Sequence, residues 1–118
     1  SPGSRSPPDR RETGPDDRLR PTAVRWRRLR SLDPVTLKAF AATIRLGSIA
    51  RAAGEVGIAA SAVSRRIADM EAALGTPLLE RWARGVRPTA AGEAVLRYAR
   101  GTLSLVDRLN AELDDLDA

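Results

Sequence analysis

Three glycines, Gly47, Gly57 and Gly75, divide the middle of this chain into segments of helical periodicity that are too short for anything but a compact set of small helices. A glycine that closes an apolar-periodic run stops a helix, because it enters left-handed backbone without a Cβ clash. Ahead of Gly47, Leu37, Phe40, Ala41 and Ile44 recur at helical spacing. They follow Asp33-Pro34, a capping acceptor and then the residue best suited to the first helical position, which predicts a core helix to about Leu46. Ser48 caps a second helix in which Ile49, Ala52, Ala53 and Val56 repeat the i, i+3, i+4, i+7 pattern. A third helix is predicted from about Ala60 to Leu74, with Val63, Ile67, Met70 and Leu74 on one stripe and Gly75 ending it before Pro77.

The period then changes. Leu78 to Trp82 and Val86 to Pro88 flank Ala83-Arg84-Gly85, which predicts a two-stranded hairpin with glycine in its turn. Thr89 caps a last helix with Glu93 in its first turn, where a carboxylate meets the positive end of the helix dipole. Along that helix Val95, Ala99, Thr102, Val106, Leu109, Leu113 and Leu116 step alternately by four and three, the heptad seam of a helix that pairs with another. The first turn or two of the seam is expected to pack against the first helix and the rest against a second copy of the chain. Gly101 costs this helix about 1 kcal/mol relative to alanine, so it marks a close approach or a weak point.

The 118 residues suit one domain, and no second, ligand-binding lobe is expected within them. Residues 1–31 hold five of the eight prolines and few apolar anchors, and are expected to form a disordered tail, ending in the basic run Arg25-Trp26-Arg27-Arg28-Leu29-Arg30. Residues 32–90 form the expected folded body and 91–118 the last, pairing helix. The chain contains no Cys and no His, which removes disulfides, thiolate metal sites and the commonest general base and metal ligand. No metal, cofactor or enzymatic activity is expected. A start without an apolar core and the absence of a long apolar run point to the cytoplasm, with no membrane partner. The net charge of +5 is segregated: nine Arg against four acids in residues 1–31, eight basic against five acidic in 32–91, three Arg against six acids in 92–118. A basic body with an acidic rear fits a module that faces an anion in front and another protein behind.

Two short helices joined through a glycine, followed by a hairpin, form a winged helix-turn-helix, so the fold class is mainly α with a two-stranded wing and a long dimerisation helix. If Val63, Ile67, Met70 and Leu74 face inward, then Ser61, Ser64, Arg65 and Ala68 face outward. Small and hydroxyl side chains admit the helix to the major groove, and Arg65 can take guanine O6 and N7 together. Arg65 and Arg66 lie in the half that enters the groove, Asp69 and Glu71 in the half that leaves it. The alternative for Arg65 and Arg66 is a solvated helix face with i, i+4 pairing, such as Arg65 to Asp69. At the wing, Arg84 in the turn and Arg81 and Arg87 on the strands can meet phosphates or the minor groove. One of the three is expected to be structural, with Arg81 paired to Glu80 or set against the core edge, and Trp82 to pack beside the hairpin.

The runs Gly47-Ser48-Ile49-Ala50-Arg51-Ala52-Ala53, Ser61-Ala62-Val63-Ser64-Arg65-Arg66-Ile67, Glu71-Ala72-Ala73-Leu74-Gly75, Pro77-Leu78-Leu79-Glu80-Arg81 and Pro88-Thr89-Ala90-Ala91-Gly92-Glu93 together resemble the N-terminal DNA-binding domain of LysR-type transcriptional regulators. The resemblance covers Leu32 to about Leu105. It implies a dimer on an interrupted inverted-repeat operator in double-stranded DNA, with higher oligomers in a longer form. It places Ser61, Ser64 and Arg65 on bases, Ser48 and Arg51 on the backbone, and Arg84 at the wing. Where the family has Ser-Gln, this chain has Ala59-Ala60, so helix capping is lost at Ala59 and a base-contacting side chain at Ala60. Two other readings fit the same elements: a molybdate-regulator-like winged-helix repressor, and a winged helix that binds only protein. Binding that weakens steeply with salt separates DNA from a protein partner.

Overall fold

The computed structural model describes Arg28 and residues 30–117. The tail expected over residues 1–31 therefore lies outside the described residues except at its end, where Arg28, Arg30 and Ser31 are helical. From there the order is α1 (Pro34–Leu46), α2 (Ile49–Val56), α3 (Ala60–Leu74), β1 (Leu79–Trp82), β2 (Gly85–Pro88) and α4 (Ala90–Asp117).

Local chemistry sets these boundaries. Asp33 caps α1 by accepting the Thr36 backbone N–H at 3.3 Å and the Thr36 hydroxyl at 2.6 Å, with Pro34 inside the first turn. Ser48 caps α2 by accepting the Arg51 N–H at 3.1 Å. Thr89 caps α4: its Oγ1 accepts the Gly92 N–H at 3.0 Å and donates to the Pro77 carbonyl at 2.7 Å. Helix α3 starts at Ala59 with no side-chain cap, as the alanine there requires. Gly47, Gly57 and Gly75 close α1, α2 and α3.

The core lies where α1 meets α2, α3 and α4. Leu37, Ala39 and Phe40 of α1, Val63, Ile67 and Met70 of α3, Leu78 and Leu79 beside the wing and Ala99 of α4 are all buried in one cluster. With a single Phe, volume comes from aliphatic chains, each stabilising the fold by about 1.5–3 kcal/mol on full burial. Thr43 is fully buried on α1, and its hydroxyl donates to the Ala39 carbonyl at 2.8 Å, which satisfies a polar group that would otherwise be costly. Ala52 and Ala53, buried on α2, let this helix lie close to its neighbours.

The hairpin is antiparallel, with Leu79 opposite Pro88, Glu80 opposite Arg87, Arg81 opposite Val86 and Trp82 opposite Gly85. Gly85 thus belongs to β2, and the turn is Ala83-Arg84, one residue shorter than the expected Ala83-Arg84-Gly85. The reason is a close approach. A Cβ at Gly85 would lie 2.3 Å from the Gly47 carbonyl oxygen, and the same oxygen accepts the Val86 N–H at 3.2 Å. At the hairpin's other end, a Cβ at Gly92 would lie 2.1 Å from the Leu78 carbonyl oxygen, so only glycine lets α4 leave the wing at this angle. Glu71 of α3 fixes the same corner by accepting the N–H groups of Leu78 and Leu79 at 2.7 and 3.3 Å.

Candidate nucleic-acid interface

Helix α3 divides its side chains between two environments. Val63, Ile67 and Met70 are buried beneath it, while Ala60, Ser61, Arg65 and Ala68 are exposed and Ser64 is half-buried. Of the outward face read from the periodicity, Ser61, Arg65 and Ala68 are exposed, and Ser64 sits half-buried at its edge. Arg65 forms no pair with Asp69, and among the described residues it has no carboxylate partner, so its guanidinium is available to a ligand.

Arg66 behaves otherwise. It donates to Asp33 at 3.3 Å and to the Thr36 hydroxyl at 3.1 Å, tying α3 to the N-terminus of α1. The sequence sets it beside Arg65 at groove entry, and the structure instead gives it to the scaffold. Partial burial pushes the Asp33 carboxyl up, but the Thr36 hydroxyl, the Thr36 backbone N–H and the Arg66 charge outweigh this and hold it below its ordinary value of 3.8.

Ser48 and Arg51 sit at the start of α2, Ser48 half-buried as the cap and Arg51 exposed. The wing lies alongside: Gly47, Ser48 and Ile49 line one cleft together with Arg81, Trp82 and Arg84. Of the backbone-contact and wing candidates, Ser48, Arg81 and Arg84 therefore meet in this cleft, while Arg51 and Arg87 lie outside its lining. The expected pairing of Arg81 with Glu80 is not what forms. Glu80 accepts from Arg87 Nε at 3.0 Å, because these two are directly opposite across the ladder whereas neighbours along a strand point to opposite faces. Arg87 is thus the partly structural arginine of the wing, and Arg84 has no carboxylate partner among the described residues. Arg45 and Glu55 form a further exposed ion pair between α1 and α2.

On α4, Val95 packs against the core and Ala99 is fully buried, so the first part of the heptad seam is spent within the protomer. Thr102 is exposed and Val106 half-buried, while Leu109, Leu113 and Leu116 are exposed. Tyr98 and Leu105, absent from the seam, are 78% and 61% exposed. At 100° per residue Tyr98, Leu105, Leu109, Leu113 and Leu116 fall within about 80° of arc, forming the free apolar face of this helix.

Among the described residues no cluster of acidic side chains suits a metal ion, and no helix is long and apolar enough to cross a membrane.

Comparison with known proteins agrees with this geometry. Residues 35–93 match the family of bacterial regulatory helix-turn-helix proteins of LysR type. A putative transcriptional regulator of Pseudomonas aeruginosa is 43% identical over 82 residues, covering 70% of this chain and 26% of its own length. The regulator AbaB of Streptomyces antibioticus is 39% identical over 85 residues, 71% of this chain and 28% of its own. The chain thus spans about a quarter of the length of the curated relatives it matches. Among solved structures, the DNA-binding domain of CbnR in complex with DNA superposes with a TM-score of 0.65 at 35% identity, over 73% of this chain and 99% of that one. The DNA-binding domain of BenM on catB site 1 DNA gives a TM-score of 0.68 at 32% identity, over 73% and 96%.

Proposed function

Because this chain belongs to the LysR family of bacterial helix-turn-helix regulators, we propose that it binds duplex DNA as a sequence-specific transcriptional regulator. In this reading α3 enters the major groove and the wing meets the minor groove. Two copies join through α4 on an inverted-repeat operator, with residues 32–90 as the reading module and 91–118 as the dimerising linker. The observation that carries it is the two-sidedness of α3. A buried aliphatic stripe holds up a face of Ser61, Ser64, Arg65 and Ala68 that is free of bulk and bears a guanidinium with no carboxylate partner among the described residues. The DNA complexes of the similar CbnR and BenM domains support the same use of the fold. With no His and no Cys the chain offers little for acid, base or nucleophile, so the reading assigns it binding and no chemistry.

Arg65 takes bases. Arg51, Arg84 and the remaining donors of Arg87 take phosphates or the minor-groove floor, while Ser48 and Ala60 line the approach. The free apolar face of α4 supports dimerisation, as does its charge order: Arg97, Arg100 and Arg108 precede Glu112, Asp114, Asp115 and Asp117. An antiparallel pair sets basic ends against acidic ones, whereas a parallel pair opposes like charges.

Selection of bound sites from random duplexes, followed by a salt titration on the selected site, tests the proposal. About four arginines per protomer release enough counterions to cost ~10³–10⁵ in affinity between 50 and 200 mM salt. Little affinity for any duplex even at low salt refutes it. Arg65→Ala costs about 1–3 kcal/mol and relaxes preference at one base pair. An equal loss on all sequences makes Arg65 a phosphate contact instead.

A further inference from the structure

At the tip of the wing an indole stands with no side chain directly opposite it in the ladder. Trp82 is opposite Gly85 in the ladder, and Gly85 must be glycine because the Gly47 carbonyl oxygen occupies the place of its Cβ. The opening this leaves is filled by charge. The Arg87 guanidinium, diagonal to Trp82 on the same face, lies 5.4 Å from the ring centroid, and that of Arg84, from the turn, lies 5.9 Å from it. Both are within the range of cation–π attraction. Arg87 is held a second time by Glu80, at 3.0 Å, whereas Arg84 has no carboxylate partner among the described residues, so the indole is its identified anchor. Trp82 itself stays 48% exposed and lies outside the core cluster.

We propose that Trp82 is a positioning residue for DNA recognition: it holds the Arg84 side chain extended at the wing tip before DNA arrives. This rests on the reading of the wing as a minor-groove element. A free arginine samples many rotamers and loses that freedom on entering a groove. One already stacked loses less, and its reach is fixed. Trp82 therefore sets how strongly the wing favours narrow minor grooves, where the negative potential on an inserted arginine is greatest.

A double-mutant cycle on the full chain tests this, using two duplexes that share the selected site and differ at the wing position, one an A-tract and one G·C-rich. Trp82→Leu lowers affinity for the A-tract duplex by about 2- to 6-fold, the scale of one exposed cation–π contact, and hardly changes the G·C-rich one. Trp82→Phe, which keeps a ring face, recovers most of the loss. In an Arg84→Ala background Trp82→Leu has no further effect on the A-tract duplex. In the free protein the Arg84 Hδ resonances are shifted upfield by the ring and return to ordinary values in Trp82→Leu. Equal losses with and without Arg84, or unshifted Hδ resonances, overturn the proposal while leaving DNA binding intact. Failure of the unaltered chain to bind either duplex overturns the wing reading and this inference together.

Discussion

Replacing Ala59 by serine should stabilise the domain, which is unusual for a substitution beside a recognition surface. Of the four labelled helices, α3 alone starts without a side-chain acceptor, although Ala59 already has the extended backbone of a capping residue, with φ −67 at Asp33 matched by φ −65 at Ala59. A capping serine stabilises by about 0.5–2 kcal/mol over alanine. Here the lower half of that range applies, because the Ala62 N–H that such a hydroxyl would reach already bonds to the Ala59 carbonyl at 3.0 Å. A gain of about 0.5–1 kcal/mol raises Tm by roughly 2–8 °C for a domain of this size. The assay is thermal unfolding by circular dichroism at one fixed protein concentration, since self-association would make Tm depend on it. Ser48→Ala serves as the opposite case and should lose about 1 kcal/mol. A serine at position 59 that leaves Tm unchanged while Ser48→Ala lowers it refutes the view that the start of α3 is limited by its missing cap. Ala59→Asp adds a second arm. It should stabilise as well as serine through the helix dipole, yet weaken DNA binding by setting a carboxylate against phosphates. Undiminished DNA affinity would mean that this helix end points away from the backbone.

Gly92→Ala drives a methyl to 2.1 Å from the Leu78 carbonyl oxygen, so the α4 N-terminus must shift. A loss of about 1–3 kcal/mol in urea unfolding is expected, and a neutral result contradicts the close approach. Asp33→Asn keeps the cap and removes the charge. Because the folded carboxyl titrates below 3.8, its stabilisation is fully present above the ordinary carboxylate value and is lost as pH falls through the lower folded one. The Tm difference between the native chain and the Asp33→Asn variant should therefore shrink away on acidification below that ordinary value, and a constant difference rejects the ionic contribution. Leu109→Asp, at a position 55% exposed in the protomer, should shift sedimentation from dimer to monomer and lower operator affinity. An unchanged dimer removes α4 as the dimer contact.

The helices were legible because their signals are local: Asp33-Pro34, Ser48, Thr89 and the three closing glycines act within a few residues of where they stand. The outward face of α3 followed from the same periodicity. What escaped the sequence depends on residues far apart in it. Nothing near Arg66 announces a partner thirty-three positions away at Asp33, so its basic character read as a DNA contact. Gly85 reads as a turn residue in any window of sequence, and only the Gly47 carbonyl against it explains its place in the strand. Glu71 looks like part of an acidic helix end until the Leu78 and Leu79 N–H groups are seen on it. The heptad seam ran through Ala99, which the protomer buries as expected of the seam's first turns, but it left out the exposed Tyr98 and Leu105. The free face is centred instead on Tyr98, Leu105, Leu109 and Leu116. That shift needed the position of α1, which periodicity along one helix does not contain.

The Gly47 carbonyl, lying against the second strand just past the end of α1, ties the wing to the helical body through backbone alone. On the proposed reading, wing tip and α3 would act as the two jaws of a caliper, and a duplex would bring its two grooves to that gauge by its own twist and bend.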